Sequence, residues 1–397
     1  MGMTGLQLTK LLVLSGDTLN EPLRRDMTGY KIPEKEQQLQ KERIKAAYEG
    51  RRIDRAPVAA DIRWWFAEKV NDGVLEEACE GLDLEPVLIS SGIVGSAHYQ
   101  PFSGVIPNVT EEHHWTGLPV VYKNGGFPGS THTIIMKTPA GELRTTESYA
   151  SRSFGITEYP VKEFTDLKTA LYIYEQYAKI PNRENEAPPV SATPFQNFLM
   201  FMAGVLNGTF MLHDNPREVE AFMRELDEIQ IPDIEEAAGK AETVVCSCEN
   251  LAADVSGGYF DKYLGPQLKR RSDICAKHGR KYGIHQDGML APLLGRLKEA
   301  GIGYVNGLTA MPSGDLEPEE IRAAAGPDIV LHDIIPQCVF MPEFHEREFE
   351  AYIRRVVGFY KNDNRIIWGI GDMLPCVSDI RRFKTMLDIV KEITTIQ

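Results

Sequence analysis

From Thr243 onward, short apolar runs alternate with amphipathic stretches in a regular rhythm. Thr243 to Cys248, Tyr282 to His285, Gly303 to Leu308, Asp328 to His332 and Arg365 to Gly369 are runs of strand length, rich in β-branched and aromatic residues. Between them lie helical patterns near Tyr259 to His278, Leu290 to Leu297, Pro318 to Ala325 and Phe344 to Tyr360, and a last one from Asp379 to Ile393. Leu290, Leu293, Leu294 and Leu297 share one helix face, as do Ile380, Phe383, Leu387 and Val390. Gly301 ends the first of these, since glycine adopts positive φ at little cost. Five strands that alternate with helices predict a parallel sheet.

The first half is less regular. Residues 1 to 50 are polar and helix-prone and predict a helical N-terminal extension. An apolar strand from Val58 to Ile62 follows, then the pair Trp64 and Trp65. Residues 107 to 154 change character: β-branched residues and the turn pairs at Asn124-Gly125 and Ala140-Gly141 predict an inserted antiparallel β excursion. Helix returns at Pro160 to Glu175, at Phe198 to Leu206, and at Asp214 to Ile229, where Asp214 or Asn215 can cap and Pro216 suits the first turn.

Composition narrows the partners. The chain has 397 residues and a formal net charge of −14, so nucleic acid and anionic membranes are not expected as main partners. No apolar run approaches the ~18 residues of a membrane span, and no signal-peptide pattern opens the chain. The six cysteines are scattered and read as thiols, which makes the cytoplasm the expected location.

The strand ends carry the chemistry-bearing residues: Glu249, His285 and Asp287, Asn306 and Thr309, His332 and Asp333, and Asp372. In α/β barrels that end holds the active site. His285 and Asp287 stand at i and i+2, so on an extended chain both side chains point to one face. Three readings stand: one metal ion, a substrate or proton-transfer contact, or a structural hydrogen bond. A zinc site would need a third ligand, with Glu249 or Asp372 as candidates. Cys246 and Cys248 read as core thiols, and Cys338 lies just past a strand end. His113 and His114 read as an exposed loop pair or part of a lid, Trp64 and Trp65 as wall, and Arg63 as a grip on a carboxylate. No G-x-G-x-x-G, Walker, H-E-x-x-H or G-x-S-x-G motif is present.

Several tracts resemble the uroporphyrinogen decarboxylase superfamily, and within it the corrinoid-dependent methyltransferases. These are Asp54-Arg55-Ala56-Pro57-Val58, the tract from Tyr282 to Asp315 with its H-x-D-G and P-x-G-D, the hairpin TPAGELRTTESYA, and the stretches HDNPREVEAFM and GIGDMLP. The resemblance spans roughly residues 50 to 393. It implies a (β/α)8 TIM barrel over residues 51 to 397 with its site at the strand C-termini. It implies a methyltransferase that moves a methyl group from a small methylated donor to a corrinoid on a partner protein, with zinc assistance. The alternative is a decarboxylase or lyase acting on an anionic substrate. The tetrapyrrole decarboxylases carry an R-Q-A-G-R motif where this chain reads DIRWWFAEK, with Arg63 its one arginine. The methyltransferases hold zinc through H-x-C, a later Glu and a final Cys. Here His285 is kept, Asp287 replaces the first Cys, Asn306 stands near the acid and Ile370 near the final Cys. The expected roles are therefore His285 and Asp287 catalytic; Arg63, Trp64, Asn306, His332 and Asp372 substrate-binding; and Glu249, His285 and Asp287 as the metal set. A homodimer is the expected assembly.

Overall fold

The computed structural model describes residues 34–83, 86–87, 90, 106–117, 130–150, 153–180 and 190–396. Helices α1 (Glu34–Tyr48) and α2 (Arg63–Asp72) come first, followed by an antiparallel sheet of β1 (Thr110–Thr116), β2 (Thr131–Thr138), β3 (Gly141–Ala150) and β4 (Ser153–Glu158). Helices α3 (Asp166–Tyr177) and α4 (Pro216–Lys240) lead to the main α/β array. That array runs β5 (Val244–Cys248), α5 (Gly265–Lys277), β6 (Lys281–His285), α6 (Ala291–Leu297), β7 (Ile302–Asn306), α7 (Pro318–Ala325), β8 (Val330–His332), the short β9 (Ile335–Pro336), α8 (Glu346–Phe359), β10 (Ile366–Ile367), β11 (Ile370–Gly371) and α9 (Ile380–Thr394).

The fold is mixed α/β around a five-stranded parallel sheet, ordered β10-β8-β7-β6-β5, with β11 and β9 as a separate parallel pair. Residues 57–60 extend it: Val58 bridges Trp368 in parallel, the Trp368 N–H donates to Pro57 O at 2.9 Å, and the Ala59 N–H donates to Trp368 O at 2.7 Å. The Ala60 N–H in turn donates to Ser90 O at 2.9 Å. Among the described residues these ladders form an arc and do not close into a ring.

Alternation along each strand separates two layers. Ile284, Val305, Leu331 and Ile366 face the helices and belong to one large core with Leu268, Leu293, Leu294, Leu297, Ile321, Phe349, Ile353 and Val356. The opposite face carries Ala59, Tyr304, Val330 and Ile367, and α1 lays Ile44, Ala47 and Tyr48 onto it. The Tyr48 and Tyr304 rings meet at 5.4 Å between centroids. The N-terminal helix is thus a plug for the inner face. The Arg43 guanidinium anchors it in a two-pronged bond to Asp54, at 2.7 and 2.5 Å.

The structure departs from the sequence reading in three places. The insertion has four strands and runs on to Glu158, with a register shift between Thr146 and Glu147; the turn at Asn124-Gly125 lies outside the described residues. His113 and His114 lie within β1, not in a loop. His113 Nδ1 stands 3.0 Å from His132 Nε2, and Trp115 stacks on His132 with centroids 3.8 Å apart. Finally, α4 continues past Pro232 to Lys240, although proline removes a hydrogen-bond donor in mid-helix. Burial of Ile234, Ala237 and Ala238 offsets that loss. No helix among the described residues is long and apolar enough to cross a membrane.

The plug should be energetically substantial. Tyr48→Ala is expected to destabilise the protein by about 3 kcal/mol or more, as large-to-small changes in a packed core do. Urea unfolding checks this; a cost below about 1 kcal/mol would mean that α1 is a passive cover.

Candidate functional site

The site forms where β5, β6, β7, β8 and β11 end. His285 closes β6, and its register partners are Cys248 on β5 and Asn306 on β7. Adjacent residues at the same level of a parallel sheet point to the same face. All three therefore face the inner layer above Tyr304. His285 Nε2 lies 3.9 Å from Asp287 Oδ2 and 3.9 Å from Asp372 Oδ1. Gly307 makes room for the ring: its φ is +73°, and a Cβ there would sit 2.3 Å from the imidazole. The turn after His285 is tied down as well. Thr309 Oγ1 accepts from the Gly288 N–H at 3.0 Å, and Asp315 Oδ1 accepts from the Leu290 N–H at 2.7 Å.

The neighbouring strand end adds two buried groups. His332 donates from Nε2 to Ala59 O at 2.5 Å. A carbonyl only accepts, so Nε2 carries the proton and Nδ1 accepts from the Tyr304 hydroxyl at 2.6 Å. Burial pushes the His332 pKa down to about 4, with the charge of His285 adding to the effect, so the ring is neutral. Asp333 is buried with φ +62°. Burial holds its pKa well above the carboxylate range, and the charges of Asp61 and Asp372 raise it further. A backbone hydrogen bond from Gly307 opposes the shift, and the net effect favours the protonated carboxyl. Gly369 accommodates it, since a Cβ there would fall 1.8 Å from Asp333 Oδ1.

Asp372, with φ +69°, completes the group. Its pKa is raised by burial first and by Asp287 and Asp61, against the opposing charge of His285. Asn306 is 7% exposed, and its Oδ1 has no hydrogen-bond partner among the described residues. The Cys248 thiol donates to Asn250 Oδ1 at 2.9 Å, and its pKa is pushed up by burial and the surrounding carboxylates. Non-glycine residues with positive φ stand at Asn250, Asp333 and Asp372, each just after or at the end of a strand. Such backbone strain concentrates at functional sites.

Several sequence expectations need correction. Glu249 is not brought to His285. It follows Ser247 on the face behind the sheet, where the Thr193 N–H reaches both its oxygens at 3.0 Å, and Thr193 Oγ1 and Ser247 Oγ donate at 2.8 and 2.6 Å. The buried Arg271 stands 3.9 Å away. Glu249 is thus a buried anchor for residues 191–193, and both its oxygens are occupied. The trio Glu249, His285 and Asp287 is not assembled as a zinc shell, and no group of three or more potential ligands among the described residues is arranged to hold a metal. His332 spends both ring nitrogens inside the protein and has none to offer a substrate. Arg63 and Trp64 begin α2, but their side chains lie outside the described residues. Trp65 is buried wall, donating from Nε1 to Ser378 O at 2.8 Å. Cys246 is a core thiol as expected, its pKa pushed up to about 12 by burial, and Cys338 accepts from Ser313 Oγ at 3.1 Å.

Two members of the site carried no assigned role in the sequence. Asp61 is the one charged residue within the apolar run from Val58 to Ile62, and that was its one signal. Asp333 is adjacent to His332, and only the close packing around it raises its pKa.

A carboxyl whose folded pKa is raised contributes stability that is complete below its unfolded pKa and is lost as pH rises through the folded value. Asp333→Asn keeps the neutral shape and tolerates positive φ. It should raise the thermal midpoint at pH 8 by roughly 2–4 °C, the shift about 1 kcal/mol produces in a large domain, and should leave the midpoint at pH 4 unchanged. A loss of stability at both pH values would mean that Asp333 is ionised.

No protein-family profile and no curated protein matches this sequence. A solved structure described as a methyltransferase from Methanosarcina mazei is similar in fold, with a TM-score of 0.53 at 13% identity, over 89% of this chain and 98% of that one. At that identity the likeness concerns the fold.

Proposed function

We propose that this chain is a methyltransferase that takes a methyl group from a small methylated donor at the strand ends and passes it to a corrinoid carried by a separate protein. The observation that carries this reading is the meeting of His285, Asp287 and Asp372, from two different strand ends, over a floor of buried neutral groups. The likeness to a methyltransferase over nearly the whole chain supports it. We infer too that the sheet continues into a (β/α)8 barrel. The parallel bridge of Val58 to Trp368, the bond from Ala60 to Ser90 and the tie of residues 191–193 to β5 support closure.

The corrinoid supplies a strongly nucleophilic metal centre, and the chain's own residues do the rest. Asp287 and Asp372 hold the imidazole of His285 toward the inner face. Asn306 offers an unused acceptor beside it. His332, fixed as a neutral tautomer between Tyr304 and Ala59, keeps the floor rigid. Zinc assistance gains no support from this donor set, because Glu249 is engaged elsewhere and the Cys248 thiol donates to Asn250. The decarboxylase reading is also disfavoured. An anionic substrate would enter a region where Asp61 and Asp372 already act on Asp333, and Asp287 and Asp61 on Asp372, with His285 as the one opposing charge among them.

The test is methyl transfer from a panel of methylated amines, ethers and thioethers to cob(I)alamin, followed by its absorbance. Transfer from at least one donor is expected. His285→Ala should lower the rate at least about tenfold with the fold intact by circular dichroism. Inactivity of the purified protein toward every donor, with cob(I)alamin and with a corrinoid protein, would overturn the reading.

A further inference from the structure

We propose that the methyl donor is an organic cation: a methylated ammonium or sulfonium held among Asp287, Asp372 and Asn306. As an account of the donor, this rests on the methyltransferase reading.

Two independent observations carry it. The first is charge. Asp287 and Asp372 flank one imidazole nitrogen, and Asp61 and Asp333 act on the same space. Gathering carboxylates, one of them buried at Asp333, is costly unless positive charge or protons compensate, and His285 is the one opposing charge that acts on Asp372. Protonation of Asp333 covers part of that cost. The side chains of Asp287 and Asp372 are each 39% exposed, so both can reach an incoming ligand. The second observation is Asn306. It is more than nine-tenths buried, it faces the same side as His285, and its carbonyl oxygen has no donor among the described residues. An acceptor and two carboxylates around one space suit a positive group and repel a negative one.

The chemistry agrees with this arrangement. When a methyl group leaves a neutral ether, the departing oxygen needs a proton or a Lewis acid. When it leaves an ammonium or sulfonium, the bond between carbon and nitrogen or sulfur breaks with its electron pair staying on the heteroatom. The donor then departs neutral. The new bond to the methyl carbon would take its electron pair from a reduced corrinoid as co-reactant, so the step would need no proton from the chain. A site without an assembled zinc shell is sufficient for that step. His285, held between Asp287 and Asp372, transfers no proton in that step.

Titration calorimetry with three probes of one shape tests this: choline, its neutral carbon isostere 3,3-dimethylbutanol, and the anion 3,3-dimethylbutyrate. Choline should bind at least tenfold more tightly than either of the others. Asp287→Asn, at a half-exposed position that leaves the core untouched, should reduce choline affinity about fivefold or more and leave the neutral probe unchanged. Choline affinity should also rise with pH as Asp372 ionises, because a bound cation favours the charged carboxyl. Equal affinity for choline and its isostere, tighter binding of the anion, or no binding of choline would each overturn the proposal. Methylated donors and cob(I)alamin separate the two claims. Transfer from neutral ethers without cation binding would sink the donor class and keep the methyltransferase. Selective cation binding without transfer from any donor would keep the cation site and sink the methyltransferase.

Discussion

The constraint on which this molecule turns is the crowding of like charges at the ends of its parallel strands. Asp61, Asp287, Asp333 and Asp372 come from separate segments; the sheet sets Asp287 and Asp372 beside the His285 imidazole and brings Asp61 and Asp333 within reach of Asp372. Coulomb repulsion and lost hydration both oppose that arrangement. The structure answers with a raised pKa at Asp333, a neutral His332, and the counter-charge that His285 places against Asp372. Glycine at 307 and 369 lets the ring and the carboxyl approach backbone that any side chain would block. Left-handed backbone at Asp333 and Asp372 turns both residues at the strand ends.

Rigidity beneath the site comes from packing of two different kinds. Behind the sheet, helices α5 to α9 bury a continuous aliphatic layer. On the inner face the layer is smaller and is completed by α1, whose Tyr48 covers Tyr304. Tyr304 in turn donates to His332, so a chain of contacts runs from the N-terminal helix to the floor of the site. The buried pair of Arg271 and Glu249 performs a comparable service behind β5, holding residues 191–193 against the sheet through Thr193 and Ser191. Both devices place polar groups where each has a defined partner, which is the condition for burying them at tolerable cost.

Most of the architecture was legible in periodicity. The strands from β5 to β8 and the helices between them follow from apolar runs of the right length and from leucines at helical spacing, because those patterns depend on local geometry alone. The weaker signals failed for physical reasons. Helix α4 passes through Pro232 because tertiary burial outweighs a local penalty. Strand β1 carries two histidines and two glutamates, a composition that reads as loop until β2 and the stack of Trp115 on His132 supply its partner. Glu249 looked like a ligand because it follows a strand, but alternation turned it to the other face.

What the sequence determined by itself is therefore the alternation of strands and helices, the inserted antiparallel sheet, and the set of polar residues that stand at strand ends. These depend on neighbours a few positions apart. Only the tertiary structure decided which of those residues meet, which are spent on the protein's own backbone, and which hold their protons. His285 with Asp287 and Asp372, the neutral His332, and the anchor Glu249 are separated by tens of residues or by the two faces of one sheet. Burial and electrostatic coupling are properties of that assembled space, and no local pattern encodes them.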